Sequence, residues 1–291
     1  MRKKICLLLA LLFFFFLSPV EAFSLSVLDI NITPSNIGQG EVGLLSIKKK
    51  GVSPKVIWMG KKIALIYDKK DEVWTGFIGA DLTTRPGMYT LQISLDNDHN
   101  NAHSITIGVL SRDHGVRRLT LPKEMVELDA DTLKRVRAES RRVRELFMRP
   151  AEHPLWAGKW IKPLAGTVVS PFGCRCIING MERSPHSGVD LEASQGTQVK
   201  VPNRGRVVLV ANHFFSGLSV FIDHGGGIQS MYFHLSQVIV EVGQLLKKGE
   251  IIGLSGSSGR VTGPHLHFGI RLNGERVNPI KLIQISRRLE R

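Results

Sequence analysis

Cysteine is almost absent, with three in 291 residues, and one of these, Cys6, lies inside the first apolar run. Two remaining thiols, Cys174 and Cys176, cannot build the disulfide framework of a small secreted domain, and they are too few for a thiolate metal site. Two apart on an extended strand, they stand at the outer limit of disulfide reach, so either a strained bridge or two free thiols fits the spacing. Long apolar runs are equally scarce. The single one, Ile5 to Leu17, spans 13 residues, short of the ~20 a membrane helix needs. It follows Arg2, Lys3 and Lys4 and ends in Ser18-Pro19-Val20-Glu21-Ala22, the layout of a secretory signal peptide over 1–22 cleaved after Ala22. The expected product is a periplasmic or secreted protein. Acidic residues are in deficit: cleavage would leave 36 basic against 24 acidic residues, a net charge of +12. That balance favours anionic envelope partners. Neither a recognition helix nor an aromatic RNA-binding platform accompanies it, so nucleic acid is not expected.

What is present is mostly β. Residues 23–112 alternate apolar and polar over Val42 to Ile47, Lys55 to Met59, Lys62 to Tyr67, Val73 to Ile78 and Tyr89 to Leu95. Turn residues punctuate them, which predicts an immunoglobulin-like β-sandwich. His99, His103 and His114 fall in polar surroundings and read as solvated loop residues. Residues 113–157 read as a basic helix and linker. Asp131 is the expected cap, Leu133, Val136, Val143, Leu146 and Phe147 form the apolar stripe, and arginines crowd the other face. Such a helix either packs along its stripe or meets an anionic envelope polymer. Pro150, Pro154 and Pro163 then mark an extended connection. Residues 158–285 predict a second domain, two-layered and antiparallel with little helix. A hairpin is expected at Asn273-Gly274 and a short basic tail over 286–291.

Histidines cluster in this second region. In Pro264-His265-Leu266-His267-Phe268 the alternation puts His265 and His267 on one face and Leu266, Phe268 and Ile270 on the other. His186 and Asp190 share a face by even spacing, and the same rule aligns Tyr232 with His234. Four histidines and an aspartate can therefore converge if three strands are neighbours, a set suited to a metal and to proton transfer. His213 and His224 lack such partners and read as structural. The glycine-rich run from Gly253 to Gly263 lacks dinucleotide spacing and a following helix, so it reads as the wall of a groove.

These segments resemble the lysostaphin-type (LytM-like) zinc endopeptidases of the cell wall. The likeness runs through Ser170-Pro171-Phe172-Gly173, His186 to Asp190, Gly196-Thr197, Tyr232 to Leu235, Gly253 to Gly263 and His265 to Phe268. It implies that His186, Asp190 and His267 hold one Zn²⁺ per chain and that His234 and His265 are the catalytic pair. The implied activity is hydrolysis of peptide cross-links, with peptidoglycan peptide stems as substrate; a monomer is expected. Both a D-Ala to diaminopimelate link and a glycine bridge stay open. The resemblance also admits two other readings: a regulator that has lost its chemistry and activates a partner amidase, and an envelope-binding module.

Overall fold

The computed structural model describes residues 28–95, 103–120 and 126–289. The proposed signal segment, the turn at Asp96-Asn97-Asp98 and His99 lie outside them. Nine strands come first: β1 (Asp29–Thr33), β2 (Ile37–Gly38), β3 (Val42–Lys48), β4 (Lys55–Trp58), β5 (Lys61–Ile63), β6 (Ile66–Asp68), β7 (Val73–Gly79), β8 (Gly87–Ser94) and β9 (His103–Leu110). They form two sheets, ordered β1-β3-β7-β6 and β2-β9-β8-β4-β5. Leu45, Ile47 and Ile78 of the first sheet and Val56, Leu91, Ile93 and Ile107 of the second fill one shared core. This is the sandwich that the alternation predicts. His103 and His114 depart from expectation: His103 opens a strand, and His114 stands edge-on to Phe172 with its Nε2 3.1 Å from Gln39 O.

A short strand β10 (Val116–Leu119) and helix α1 (Ala130–Phe147) follow. The helix is capped by Asp129, whose side chain accepts from Thr132 N at 2.8 Å, rather than by Asp131, which sits in the first turn. Val143, Leu146 and Phe147 pack with Leu209, Phe221 and Met231 of the second region, so the apolar stripe is used for docking. Among the residues after α1, Trp156 and Trp160 are buried, and Leu155 N donates to His224 O at 2.7 Å. The proline-rich connection is thus extended but firmly packed.

The remainder comprises β11 (Val168–Ser170), β12 (Arg175–Ile178), β13 (Met181–Arg183), β14 (Val189–Glu192), β15 (Gln198–Lys200), β16 (Gly205–His213), β17 (Gly217–Asp223) and β18 (Ile228–Val238). It continues through β19 (Leu245–Leu246), β20 (Ile251–Ser255), β21 (His265–Leu272), β22 (Glu275–Val277) and helix α2 (Pro279–Ser286). The main path runs β11-β14-β21-β18-β17-β16-β19, with β15, β20 and β22 paired alongside. Asn273 and Gly274 both adopt positive φ, the geometry of the expected two-residue hairpin turn. Sequence reading missed α2, although Asn278 caps it and Pro279 occupies the first turn. A second small sheet, β10-β12-β13, forms through parallel pairing of β10 with β12, so the stretch read as helix and linker also contributes a strand.

The sandwich and the second region share apolar packing. Val42, Leu44, Phe77 and Leu82 join the core built around Leu191, Tyr232 and Phe268. Polar contacts seal the seam. Arg276 donates to Asp81 through Nη2 at 2.6 Å, Nε at 3.1 Å and its backbone N at 2.8 Å. Burial alone would raise the Asp81 carboxyl, but the bonds from Arg276 and Thr83 outweigh it and hold the group well below its ordinary value. A depressed carboxyl contributes stability that is present above its unfolded value near 4 and is lost as pH falls below it. We predict that Asp81→Asn costs about 2 kcal/mol, the order expected for removing charged hydrogen bonds from a partly buried pair. The variant will also show a smaller drop in stability on acidification below pH ~4 than wild type. Urea unfolding at pH 7 and pH 3 measures both.

Candidate functional site

The site forms where β14, β21 and β18 run side by side. β14 pairs antiparallel with β21 in a register that sets Asp190 opposite His267 and Glu192 opposite His265. β18 lies on the other edge of β21, with Phe233 opposite His267. Leu266, Phe268 and Ile270 are fully buried on the core face, as the alternation requires, while His265 and His267 face the groove. His186 arrives from the loop before β14, tied down by Gly173 N donating to His186 O and His186 N donating to Cys174 O.

Three candidate atoms meet in a near-equilateral triangle. His186 Nε2 lies 2.9 Å from His267 Nδ1 and 3.0 Å from Asp190 Oδ1, and His267 Nδ1 lies 3.0 Å from Asp190 Oδ1. The acceptor at His186 Nδ1 is Pro171 O, 2.9 Å away, which places the ring proton there and leaves Nε2 a bare lone pair. Asp190 Oδ1 can only accept. With neutral rings, at most one proton, on His267 Nδ1, serves three mutually close acceptors. A cation is what such a triangle fits, and two imidazoles with one carboxylate are zinc donors that can all reach one ion at about 2 Å. These are the described His, Cys, Asp and Glu residues that converge closely enough to hold a metal ion. Burial would raise Asp190, but its close contacts with the His186 and His267 rings hold it below its ordinary range. Burial lowers His267, favouring the neutral ring that ligation needs.

His234 and His265 stand beside this triangle. His234 Nδ1 donates to Ser258 O and His265 Nδ1 to Gly263 O, each at 2.9 Å, so both rings point a basic Nε2 elsewhere. Their centroids are 4.9 Å apart, and His265 Nε2 lies 3.8 Å from Asp190 Oδ1. Burial pulls His234 down to about 4, keeping it an unprotonated base at neutral pH. The expected alignment of Tyr232 with His234 fails. His234 takes a left-handed backbone, φ 63°, which breaks the two-residue alternation. Tyr232, opposite Phe268 in the register, is buried against it, while Phe233 and, through the break, His234 both face the groove. Two loops hold the break in place: His234 N donates to Ser216 O, and Ser258 Oγ donates to Leu235 O.

Sequence reading missed Phe233, whose ring stacks on His267 at 4.9 Å and 4°, and Ser258, which orients His234. It also missed Gly188. A Cβ there would lie 2.5 Å from Phe268 O and 2.7 Å from His267 Nε2. His213 and His224 stay out of the site. His224 is fully buried between Arg204 O and Ser230 Oγ, and burial lowers it to about 4. Cys174 and Cys176 are unbridged thiols in the groove wall, and the glycine-rich run supplies Arg260 to Gly263 to the facing wall. We predict that Gly188→Ala displaces His267 and lowers metal stoichiometry at least severalfold while the fold is kept, checked by elemental analysis alongside circular dichroism.

The family model for peptidase family M23 matches residues 184–279. A solved structure from Pseudomonas aeruginosa assigned to peptidase M23 superposes with a TM-score of 0.68 at 30% identity, covering 85% of this chain and 95% of that one. Two curated relatives match over the second region. The peptidoglycan DD-endopeptidase ShyA of Vibrio cholerae is 44% identical over 98 residues, 34% of this chain and 23% of its own. The DD-carboxypeptidase/endopeptidase Mpg of Neisseria meningitidis is 39% identical over 123 residues, 42% of this chain and 28% of its own. The matched segment therefore spans about a quarter of these relatives. The likeness to the Pseudomonas structure along nearly its whole length places this chain in peptidase family M23.

Proposed function

We propose that the chain is a zinc-dependent endopeptidase that hydrolyses peptide cross-links of bacterial peptidoglycan outside the cytoplasm. The observation that carries this is the triangle of His186 Nε2, Asp190 Oδ1 and His267 Nδ1, with the rings of His234 and His265 anchored through Nδ1 beside it. The curated relatives named as peptidoglycan endopeptidases support the substrate, and peptidoglycan lies beyond the cytoplasmic membrane. No helix among the described residues is long and apolar enough to cross a membrane.

When bound by His186, Asp190 and His267, zinc supplies Lewis-acid polarisation of the scissile carbonyl and acidifies a water. The chain's own residues do the rest. His265 Nε2 takes a proton from the attacking water, its ring held in the right tautomer by Gly263 O. His234 Nε2, its ring fixed by Ser258 O, accepts a hydrogen bond from the attacking water and orients it, and His265 returns the proton it took to the leaving amine. Phe233 closes one side of His267 and keeps solvent from it.

Elemental analysis of the purified full chain is expected to give one zinc per molecule. Chelation should abolish release of peptides from purified peptidoglycan, and zinc should restore it. His265→Ala should lower kcat by about 10²- to 10⁴-fold with zinc retained, whereas His267→Ala should lose the metal. A metal content near zero, or full activity in His265→Ala, would sink the reading and favour a regulator without chemistry.

A further inference from the structure

The groove beside the triangle is lined by one carboxylate among the described residues, Asp190, and that one already belongs to the triangle. Positive charge reaches the groove from two walls. In the β10-β12-β13 sheet, the register sets Arg117, Cys176 and Arg183 in one row. Side chains in a row stand on one face of a sheet, and since Arg117 and Cys176 line the groove, Arg183 belongs to the same face, next in sequence to the groove residue Ser184. From the facing wall comes Arg260. Its guanidinium carbon sits 4.1 Å from the Phe215 ring centroid, and its backbone N donates to Phe215 O at 2.9 Å, so the side chain is held in place. Burial, then the charge of Arg183, lowers Arg260. Arg117 Nη1 donates to Ser170 Oγ at 3.3 Å, and Ser170 Oγ lies 3.4 Å from His186 Nδ1. The guanidinium is therefore one serine away from the candidate metal ligands.

Like charges gathered on the walls of one groove repel one another, and an entering anion relieves that repulsion. The planar fork of arginine matches a carboxylate in particular. We propose that Arg117, Arg183 and Arg260 form a carboxylate-binding wall that seats a free carboxylate of the substrate next to the scissile amide. The groove then selects an acidic peptide cross-link over a neutral one such as an oligoglycine bridge. The position of the scissile bond rests on the peptidase reading above; the anion site does not.

The test uses the full, zinc-loaded protein and two synthetic cross-linked peptides. They differ only in a free carboxylate or its primary amide beside the scissile bond. N-methylated versions of the scissile amide give Kd without turnover. The free carboxylate should be favoured about tenfold or more in both kcat/KM and Kd. Arg117→Gln and Arg260→Gln should each bring that ratio towards one. Because the ratio compares two substrates on one variant, damage to the neighbouring His186 cancels. A wild-type ratio near one in cleavage and binding overturns the wall and leaves the peptidase reading standing. A carboxylate preference in Kd with neither peptide cleaved keeps the wall and counts against the peptidase reading. Variants that keep the wild-type ratio overturn the assignment to these arginines.

Discussion

The antiparallel register of β14 on β21 is the constraint on which the site depends. It sets Asp190 across from His267, bringing an oxygen and a nitrogen to 3.0 Å without help from any flexible segment. A slip of one residue would turn His265 and His267 into the core and put Leu266 and Phe268 in the groove. The fully buried Leu266, Phe268 and Ile270 oppose that slip with several kcal/mol of apolar burial. The core thus holds the register, and the register holds the donor atoms. Only His186 comes from outside the ladder, and its loop is fastened at both backbone groups of that residue.

Much of this was legible in the sequence, because strand alternation is local and the site is built on strands. The shared face of His265 and His267 follows from spacing alone. So does the Asn273-Gly274 turn, where both residues must take positive φ. What was not legible depends on a departure from regularity or on distant contacts. Register on β21 sends Tyr232 to the core and Phe233 to the groove, and a left-handed backbone at His234 then breaks the alternation so that His234 faces the groove as well. The loops that hold that break start near Ser216 and Ser258, far from it in sequence. The cap of α1 moved from Asp131 to Asp129, an ordinary uncertainty between two acidic residues near one helix start.

The sandwich is built into the same packing as the site. Both faces of β3 are buried, one in the sandwich core and the other against the second region. Alternation in Val42 to Ile47 indicated a half-exposed strand, and the covering of its outer face could not be read locally. α1 is tied in as well. Glu139 accepts from Phe214 N at 3.0 Å, and Arg135 donates to Asn212 O at 3.0 Å, fixing the loop that in turn supports His234. The helix read as a basic linker is therefore part of the scaffold for a catalytic candidate.

The strand β10 is held differently from everything else at the groove. It lies at the edge of a three-stranded sheet, through four ladder pairs with β12, whereas β21 is paired on both sides. Local opening free energy follows the number of contacts that must be broken together. The two walls of one groove therefore stand at opposite ends of the native stability scale. Amide protection should be high along β21 and low along β10, so that the groove can breathe on its arginine-bearing side while the donor triangle stays closed.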